Sequence, residues 1–208
     1  MQIENLNPLK ESSAIIGYTQ TGKTNLAVYL CWVYGNRGYN LKIADPNEKF
    51  GILNPAFVVH SLDEIVPQGI QILQTDLWTD KLFDALTAKV FSFKNQNVVY
   101  VADEVHNWEK KYRTTPNFEL FTRNCHNRNI GYIFIVQRPQ ETATMAFSNA
   151  VHRYAFKMDY PSDIELMRKW IGEDYVDYMN TDYPAHTGIY KKFGSVGTEI
   201  FKVRKMYD

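Results

Sequence analysis

Short apolar runs alternate along this chain with segments in which apolar residues recur at helical spacing. The clearest runs occur at 13–18, 41–45, 97–104 and 130–136, and they are rich in β-branched and aromatic residues. Apolar runs with little polar alternation are typical of strands that are covered on both faces. Strands that alternate with helical segments predict βαβ units and a mainly parallel sheet.

The remaining elements follow from local signals. We expect helices at 22–34, 80–93 and 115–127, the last opened by Thr115 and Pro116, and a further helix from a capping box of Ser162 and Glu165 to Gly172. Weaker strand patterns occupy 57–60 and 70–74, and HRYAFKM at 152–158 predicts another strand. GIYKKF and EIFKVRKM, joined by the glycine turn GSVG, predict a C-terminal antiparallel hairpin. We therefore expect one α/β domain over residues 1–208, with helices flanking the sheet.

The composition is ordinary for a globular protein and indicates no partner. Hydrophobic residues make up 45% of the chain, and 23 Lys and Arg balance 23 Asp and Glu, so nucleic acid would need a local basic patch. Cys31 and Cys125 have no metal-binding spacing, which argues against zinc and a disulfide framework. The longest apolar run, LAVYLCWVY, is too short to span a bilayer, and no signal peptide is evident, so we expect a soluble protein.

The stretch GYTQTGKT matches GxxxxGK[ST] between a predicted strand and a predicted helix, the context that a phosphate-binding loop requires. Its residues are Gly17, Tyr18, Thr19, Gln20, Thr21, Gly22, Lys23 and Thr24. Glycines allow backbone N–H groups to turn toward phosphate oxygens, and the helix N-terminus adds the positive end of a dipole. We expect Lys23 to reach the β- and γ-phosphates and the Thr24 hydroxyl to bind Mg²⁺.

Two carboxylates end the buried run VVYVADE. With a phosphate loop in the same chain, Asp103 is expected to help hold Mg²⁺ through its water shell. Glu104 is expected to polarise the attacking water. An Asp-Glu pair suits hydrolysis by an activated water more than phosphate transfer to a bound hydroxyl. The pair therefore predicts an ATPase.

The strand at 130–136 runs directly into Gln137, Arg138 and Pro139. Proline cannot donate to a strand ladder, so the strand must end near Pro139. Gln137 then lies at the carboxyl edge of the sheet, where ligands bind in open parallel α/β sheets.

Other candidates have simpler explanations. Asp45 serves equally well as a turn cap or a nucleotide contact. Two basic clusters, Lys110, Lys111 and Arg113, and Lys191, Lys192, Lys202, Arg204 and Lys205, are able to meet a phosphate backbone, although a solvated face is the more common role. Arg123 and Arg128 lie on or just past a predicted helix, where surface ion pairs are as frequent as functional contacts.

Taken in order, GYTQTGKT, ADPNEKF, YVADE and FIVQRP resemble the FtsK/HerA superfamily of RecA-like DNA-pumping ATPases. Within it, the chain looks most like the genome-packaging ATPases of turreted icosahedral archaeal viruses, which have double-jelly-roll capsids. The resemblance extends from Ser13 onward. The phosphate loop alone is shared by many families, whereas its combination with a strand that ends in Gln-Arg-Pro is far more specific.

The resemblance implies a RecA-like P-loop fold in which the Gln137 strand lies between the phosphate-loop strand and the Asp-Glu strand. Gln137 is then a polar sensor between Lys23 and Glu104. An arginine finger would come from a neighbouring subunit of a hexameric ring, and Arg123 and Arg128 both lie in the matching region. The cofactors implied are ATP and Mg²⁺.

The function implied is packaging of a viral genome by ATP-driven translocation of double-stranded DNA. A capsid vertex protein is the expected docking partner, and the host cytoplasm or the virion is the expected location. Two alternatives stay open at this point: a cellular HerA-like or conjugation-type DNA pump, and a nucleotide-dependent assembly switch. Glu104 counts against the switch, since a protein that only binds ATP needs no water-activating carboxylate.

Overall fold

The computed structural model describes residues 6–204, and a nine-stranded mixed sheet runs through this part of the chain. Its strands are β1 (Ser13–Ile16), β2 (Asn40–Ala44), β3 (Val58–Val59), β4 (Gln71–Leu73), β5 (Val98–Ala102), β6 (Ile130–Val136), β7 (His152–Ala155), β8 (Thr187–Lys192) and β9 (Glu199–Lys202). Their order is β3-β4-β2-β5-β6-β1-β7-β8-β9. Pairing is parallel from β3 to β7, and β8 and β9 are antiparallel.

Helices flank this sheet, so the α/β prediction is confirmed. They are α1 (Lys23–Asn36), α2 (Asp80–Ser92), α3 (Pro116–Asn124), α4 (Met145–Ser148), α5 (Pro161–Ile171) and α6 (Asp174–Asn180). The sequence patterns did not predict the short helices α4 and α6. Within residues 6–204, the helices are too short or too polar to cross a bilayer.

The core has two layers, one on each face of the sheet. Val99 and Val101 of β5 pack in the layer that contains α1, whereas Tyr100 packs in the opposite layer with Phe121 and Phe134. Successive strand residues point to opposite faces, so both sets must be apolar when both faces are covered. This explains the continuous apolar runs of the sequence.

β6 lies between β5 and β1, as the family resemblance implies. All three strands are parallel, so their carboxyl ends meet at one edge of the sheet. The loops that follow β1, β5 and β6 are therefore neighbours. These loops carry the phosphate-loop pattern, the two carboxylates and Gln137.

The helix boundaries correct some local predictions. α5 begins at Pro161, with Tyr160 as its N-cap, so Ser162 lies inside the first turn and the predicted capping box is wrong. Proline is favoured at the first helical position, which moves the start from the predicted Asp163 to Pro161, two residues earlier. Gly172 ends α5 with φ of 118°, as predicted. The predicted 115–127 helix is α3, which ends at Asn124.

The C-terminal hairpin is confirmed as β8 and β9. Its second strand ends at Lys202, earlier than the predicted segment, and Lys205 and Met206 lie outside the described residues.

Gly131 offers a direct test of the sheet's contact with the N-terminal segment. A Cβ at Gly131 would lie 1.8 Å from the carbonyl oxygen of Pro8, a distance that requires the backbone to move. We expect Gly131→Ala to lower the free energy of unfolding by about 1–3 kcal/mol. Gly197→Ala is the matched control, because a Cβ there meets no described atom within 4 Å. Equal thermal unfolding midpoints for the two variants would contradict this packing.

Candidate active site

The phosphate-loop pattern forms the connection between β1 and α1, as predicted. Gly22 has φ of 109°, in the left-handed region that favours glycine, and immediately precedes α1. Gly17 is tightly enclosed, because an added Cβ would lie 2.6 Å from the Cβ of Phe156. The conformation of this loop therefore depends on both glycines.

Lys23 is buried at the start of α1 and its ammonium points back into the loop. Its Nζ donates to the carbonyl oxygen of Tyr18 at 2.7 Å, and the Thr21 hydroxyl donates to the same oxygen at 2.7 Å. Burial lowers the pKa of Lys23 to about 8, although the charges of Glu104 and Asp103 oppose this shift. A buried cation with one carbonyl partner is well suited to bind phosphate.

Asp103 follows β5 and is buried. Its Oδ1 accepts the backbone N–H of Glu104 at 3.0 Å, whereas Oδ2 accepts no hydrogen bond from the described residues and lies 3.8 Å from Lys49 Nζ. Burial, and then the charge of Glu104, raise the pKa of Asp103 to about 6. A buried carboxylate oxygen without a hydrogen-bond donor fits the water shell of a cation.

The oxygen donors of Asp103 and Thr24 fit Mg²⁺ better than they fit a metal ion whose ligands all come from the protein. Thr24 lines the cavity beside the loop and offers a hydroxyl. No cluster of three His, Cys, Asp or Glu able to hold a metal occurs in residues 6–204. Mg²⁺ commonly binds one or two protein groups together with waters and substrate phosphates, which is what Asp103 and Thr24 allow.

Glu104 immediately precedes the 3₁₀ turn Val105–Asn107, and its backbone is in the left-handed region, with φ of 54°. Its carboxylate is 13% exposed and is held between cationic and polar groups. Oε1 lies 3.8 Å from Lys49 Nζ and accepts from Asn47 Nδ2 at 3.4 Å. Glu104 is therefore positioned, yet open enough to meet a water molecule.

His106 connects Glu104 to Gln137, and the sequence analysis did not identify it. Its Nδ1 accepts the backbone N–H of Gln137 at 3.4 Å, and its Nε2 lies 3.3 Å from Glu104 Oε2. Burial lowers the pKa of His106 to about 4, so the ring is neutral near pH 7. With Nδ1 as acceptor, the proton of the neutral ring is on Nε2, the nitrogen that faces Glu104.

Gln137 completes one side of the site, because its Nε2 donates to the hydroxyl of Thr19 in the phosphate loop. Gln137, Lys23, Thr24 and Glu104 line one open cavity of about 670 Å³. The other lining residues are Thr19, Gln20, Gly22, Asn25, Lys49 and His186. The structure therefore brings the principal predicted residues together.

Arg123 and Arg128 do not reach this cavity. Both precede the amino end of β6, whereas the cavity lies at its carboxyl end. Arg128 packs against Phe91. Its guanidinium lies 3.9 Å from the centre of the Phe91 ring and donates to the Phe91 carbonyl at 3.2 Å. Arg123 is 65% exposed and pairs with Glu119 on the same helix.

Asp45 has a structural role. Its carboxylate is buried and accepts the backbone N–H groups of Lys49 and Phe50 at 2.9 and 2.8 Å and the side-chain amide of Gln74 at 2.7 Å. It therefore fixes the loop after β2, which carries Lys49 to the site.

A smaller cavity of about 170 Å³ adjoins the main one, and His186 lines both. Gln20 and Thr21 of the phosphate loop form one wall. Tyr178 and Tyr183, which stack with ring centroids 5.5 Å apart, form another.

Comparison with known proteins gives structural matches without sequence-level ones. No family model matches the chain, and no curated protein matches it. The genome packaging NTPase B204 from Sulfolobus turreted icosahedral virus 2, solved with AMPPCP, matches with a TM-score of 0.80 and 18% identity, over 95% of this chain and 100% of that one. B204 of Sulfolobus turreted icosahedral virus, a DNA-packaging ATPase, matches with a TM-score of 0.77 and 20% identity, over 96% and 100%.

The pCW3 conjugation coupling protein TcpA, solved with ATPγS, also matches, with a TM-score of 0.60 and 14% identity, over 95% of this chain and 61% of that one. At these identities the matches establish the fold. The fold that the family resemblance implied is thereby confirmed.

The two shifted pKa values predict how nucleotide binding depends on pH. Asp103 carries its charge above about pH 6, and Lys23 carries its charge below about pH 8. We expect affinity for a Mg²⁺–nucleotide to be greatest between these values and to fall on both sides. Asp103→Asn should weaken binding and reduce the fall in affinity at acidic pH. Titration of the nucleotide itself affects the parent and the variant equally, so it cancels in the comparison. Titration with a fluorescent analogue measures this, and an unchanged fall in affinity at acidic pH in the variant would exclude Asp103 as its source.

Proposed function

We propose that this chain is an ATPase that couples hydrolysis to translocation of double-stranded DNA during packaging of a viral genome. The carrying observation is the cavity at the carboxyl ends of β1, β5 and β6, which joins a phosphate loop, Glu104 and Gln137, with Asp103 buried next to Glu104. This combination suits hydrolysis of a nucleoside triphosphate by an activated water.

The residues divide the reaction between them. Lys23 would transfer its hydrogen bond from the Tyr18 carbonyl to the β- and γ-phosphates. Thr24 and Asp103 would hold Mg²⁺, which neutralises charge on the phosphates when bound. Glu104 would take the proton of the attacking water, and neutral His106 would orient its carboxylate.

The smaller cavity is the candidate site for the base of the nucleotide. A base would pack there against the wall formed by Tyr178 and Tyr183. The cavity begins at Gln20 and Thr21, so a nucleotide whose phosphates lie in the loop is able to place its base there.

The choice of DNA packaging is supported by the folds of the B204 proteins, which match over nearly the whole chain. The proposal includes a hexameric ring, a capsid vertex protein as docking partner, and action in the host cytoplasm or at the virion. TcpA supports a second candidate, a conjugation-type pump, although this chain covers 61% of TcpA.

Arg123 is the better candidate for a finger that acts on a neighbouring subunit. Its side chain is exposed and held by a single surface ion pair, which is weak and easily exchanged. Arg128 is packed against Phe91 and would have to leave both its ring contact and its carbonyl partner.

Glu104→Gln should bind Mg²⁺–ATP with nearly the affinity of the parent but hydrolyse it far more slowly, because only water activation is removed. Lys23→Ala should instead weaken nucleotide binding itself. Equilibrium binding and steady-state phosphate release separate the two effects. Turnover near that of the parent in Glu104→Gln would remove this residue from catalysis.

Arg123→Ala should lower hydrolysis by roughly 10³-fold if its charge completes a neighbouring site. Specific activity of the parent should then rise with protein concentration. Mixing Arg123→Ala with Lys23→Ala should restore part of the activity, since one mixed interface has both intact groups. Arg128→Ala serves as the comparison. Concentration-independent activity, with Arg123→Ala unimpaired, would contradict a role in trans.

A further inference from the structure

A tight turn at residues 110–113, here called the basic turn, projects from the loop after the 3₁₀ turn that carries His106. The backbone groups of Lys110 and Arg113 exchange hydrogen bonds of 3.0 and 3.1 Å, which places Lys111 and Tyr112 at the tip. Tyr112 is 90% exposed, and Lys111 Nζ lies 5.6 Å from the centre of its ring. The tip therefore presents a phenol and cations together to the solvent.

The base of the basic turn is firmly anchored. The buried carboxylate of Glu109 accepts the backbone N–H of Thr115 at 2.9 Å and its hydroxyl at 2.6 Å. The carbonyl of Glu109 accepts the N–H of Ala143 at 2.9 Å. An exposed tip on a fixed base is the arrangement expected of a contact surface, since little conformational entropy is given up when a partner binds.

The basic turn is connected to both strand ends of the active site. Lys110 Nζ donates to the carbonyl of His106 at 2.6 Å, and His106 contacts Glu104 and Gln137. The N–H of Lys111 donates to the carbonyl of Glu141 at 2.9 Å, within the loop that follows Gln137. Displacement of the tip is thus able to change the geometry around the catalytic carboxylate.

Within residues 6–204, the second basic cluster has no such hydrogen bonds to the loops that follow β5 and β6. Lys191 Nζ donates to the carbonyl of Ile171 at 2.6 Å, and Lys192 pairs with Glu11 at 2.6 Å, so these ammonium groups have internal partners. Lys202 and Arg204 are exposed on and just after the edge strand β9, three strands from β1. Lys202 pairs with Thr187 of β8. Lys205 lies outside the described residues.

We propose that the basic turn binds the phosphate backbone of double-stranded DNA and transmits this contact to the active site; the inference rests on the function proposed above. Lys111 and Arg113 supply cations, and the Arg113 pair with Asp80 is exposed enough to exchange for phosphate. Tyr112 supplies a hydroxyl donor and a ring able to pack on sugar.

The test compares Lys111→Ala/Arg113→Ala with Lys202→Ala/Arg204→Ala, which removes the same charge elsewhere. Each protein is assayed for duplex affinity across a salt series and for ATPase rate with and without DNA. The basic-turn variant should keep its rate without DNA and bind DNA about tenfold more weakly. Its salt slope should fall by about one for each phosphate that the protein no longer neutralises. The control should match the parent.

Tyr112→Ala adds a variant that keeps every charge. It should reduce stimulation of the ATPase by DNA while leaving the salt slope unchanged, and Tyr112→Phe should recover part of the stimulation if the ring packs on sugar. Thermal unfolding midpoints equal to that of the parent show that these exposed substitutions leave the fold intact.

The outcomes separate this inference from the proposed function. A parent that hydrolyses ATP and responds to DNA, with the same response in the basic-turn variant, would overturn the inference and leave the proposed function standing. Loss of DNA binding in the Lys202/Arg204 control alone would assign the DNA surface to the hairpin and also overturn it. A parent that neither binds DNA nor responds to it would remove the proposed function itself.

Discussion

The parallel pairing of β6 between β5 and β1 is the constraint on which the site depends. In this register Ile16 pairs with Val136, and Ala102 pairs with Phe134. The phosphate loop and Gln137 therefore begin at the same level of the sheet, and Asp103 lies two residues before that level, beside Ile135. A register shift of one residue would turn every β6 side chain to the opposite face, so the two core layers protect the site's alignment.

Local sequence signals predicted the parts of the site whose residues are close together in the chain. Gly22 and Lys23 belong to one loop, and Asp103 directly follows an apolar strand, so their positions follow from neighbours in the chain. His106 and Lys49 have no such signal. Their relevance arises from contacts between separate loops, which only the folded sheet brings together.

The local errors have a similar origin. Ser162 and Glu165 have the spacing of a capping box, but the helix already begins at Pro161, so Ser162 is not its N-cap. Arg123 and Arg128 look equivalent in the sequence, and their difference appears only when Phe91 is seen to cover Arg128. In the sequence, Asp45 was compatible with a turn cap and with a nucleotide contact. The hydrogen bonds that its carboxylate accepts from Lys49, Phe50 and Gln74 identify it as a turn cap.

The hydrogen bond from Lys23 to the Tyr18 carbonyl affects how long a nucleotide stays bound. This carbonyl takes the place of a phosphate oxygen, so an arriving triphosphate must displace it from Lys23. When the diphosphate leaves, the carbonyl returns, and the ammonium of Lys23 is not left buried and unpaired. Such competition lowers affinity while shortening the residence time of the product. An ATPase that turns over many times gains more from rapid release of its product than from tight binding.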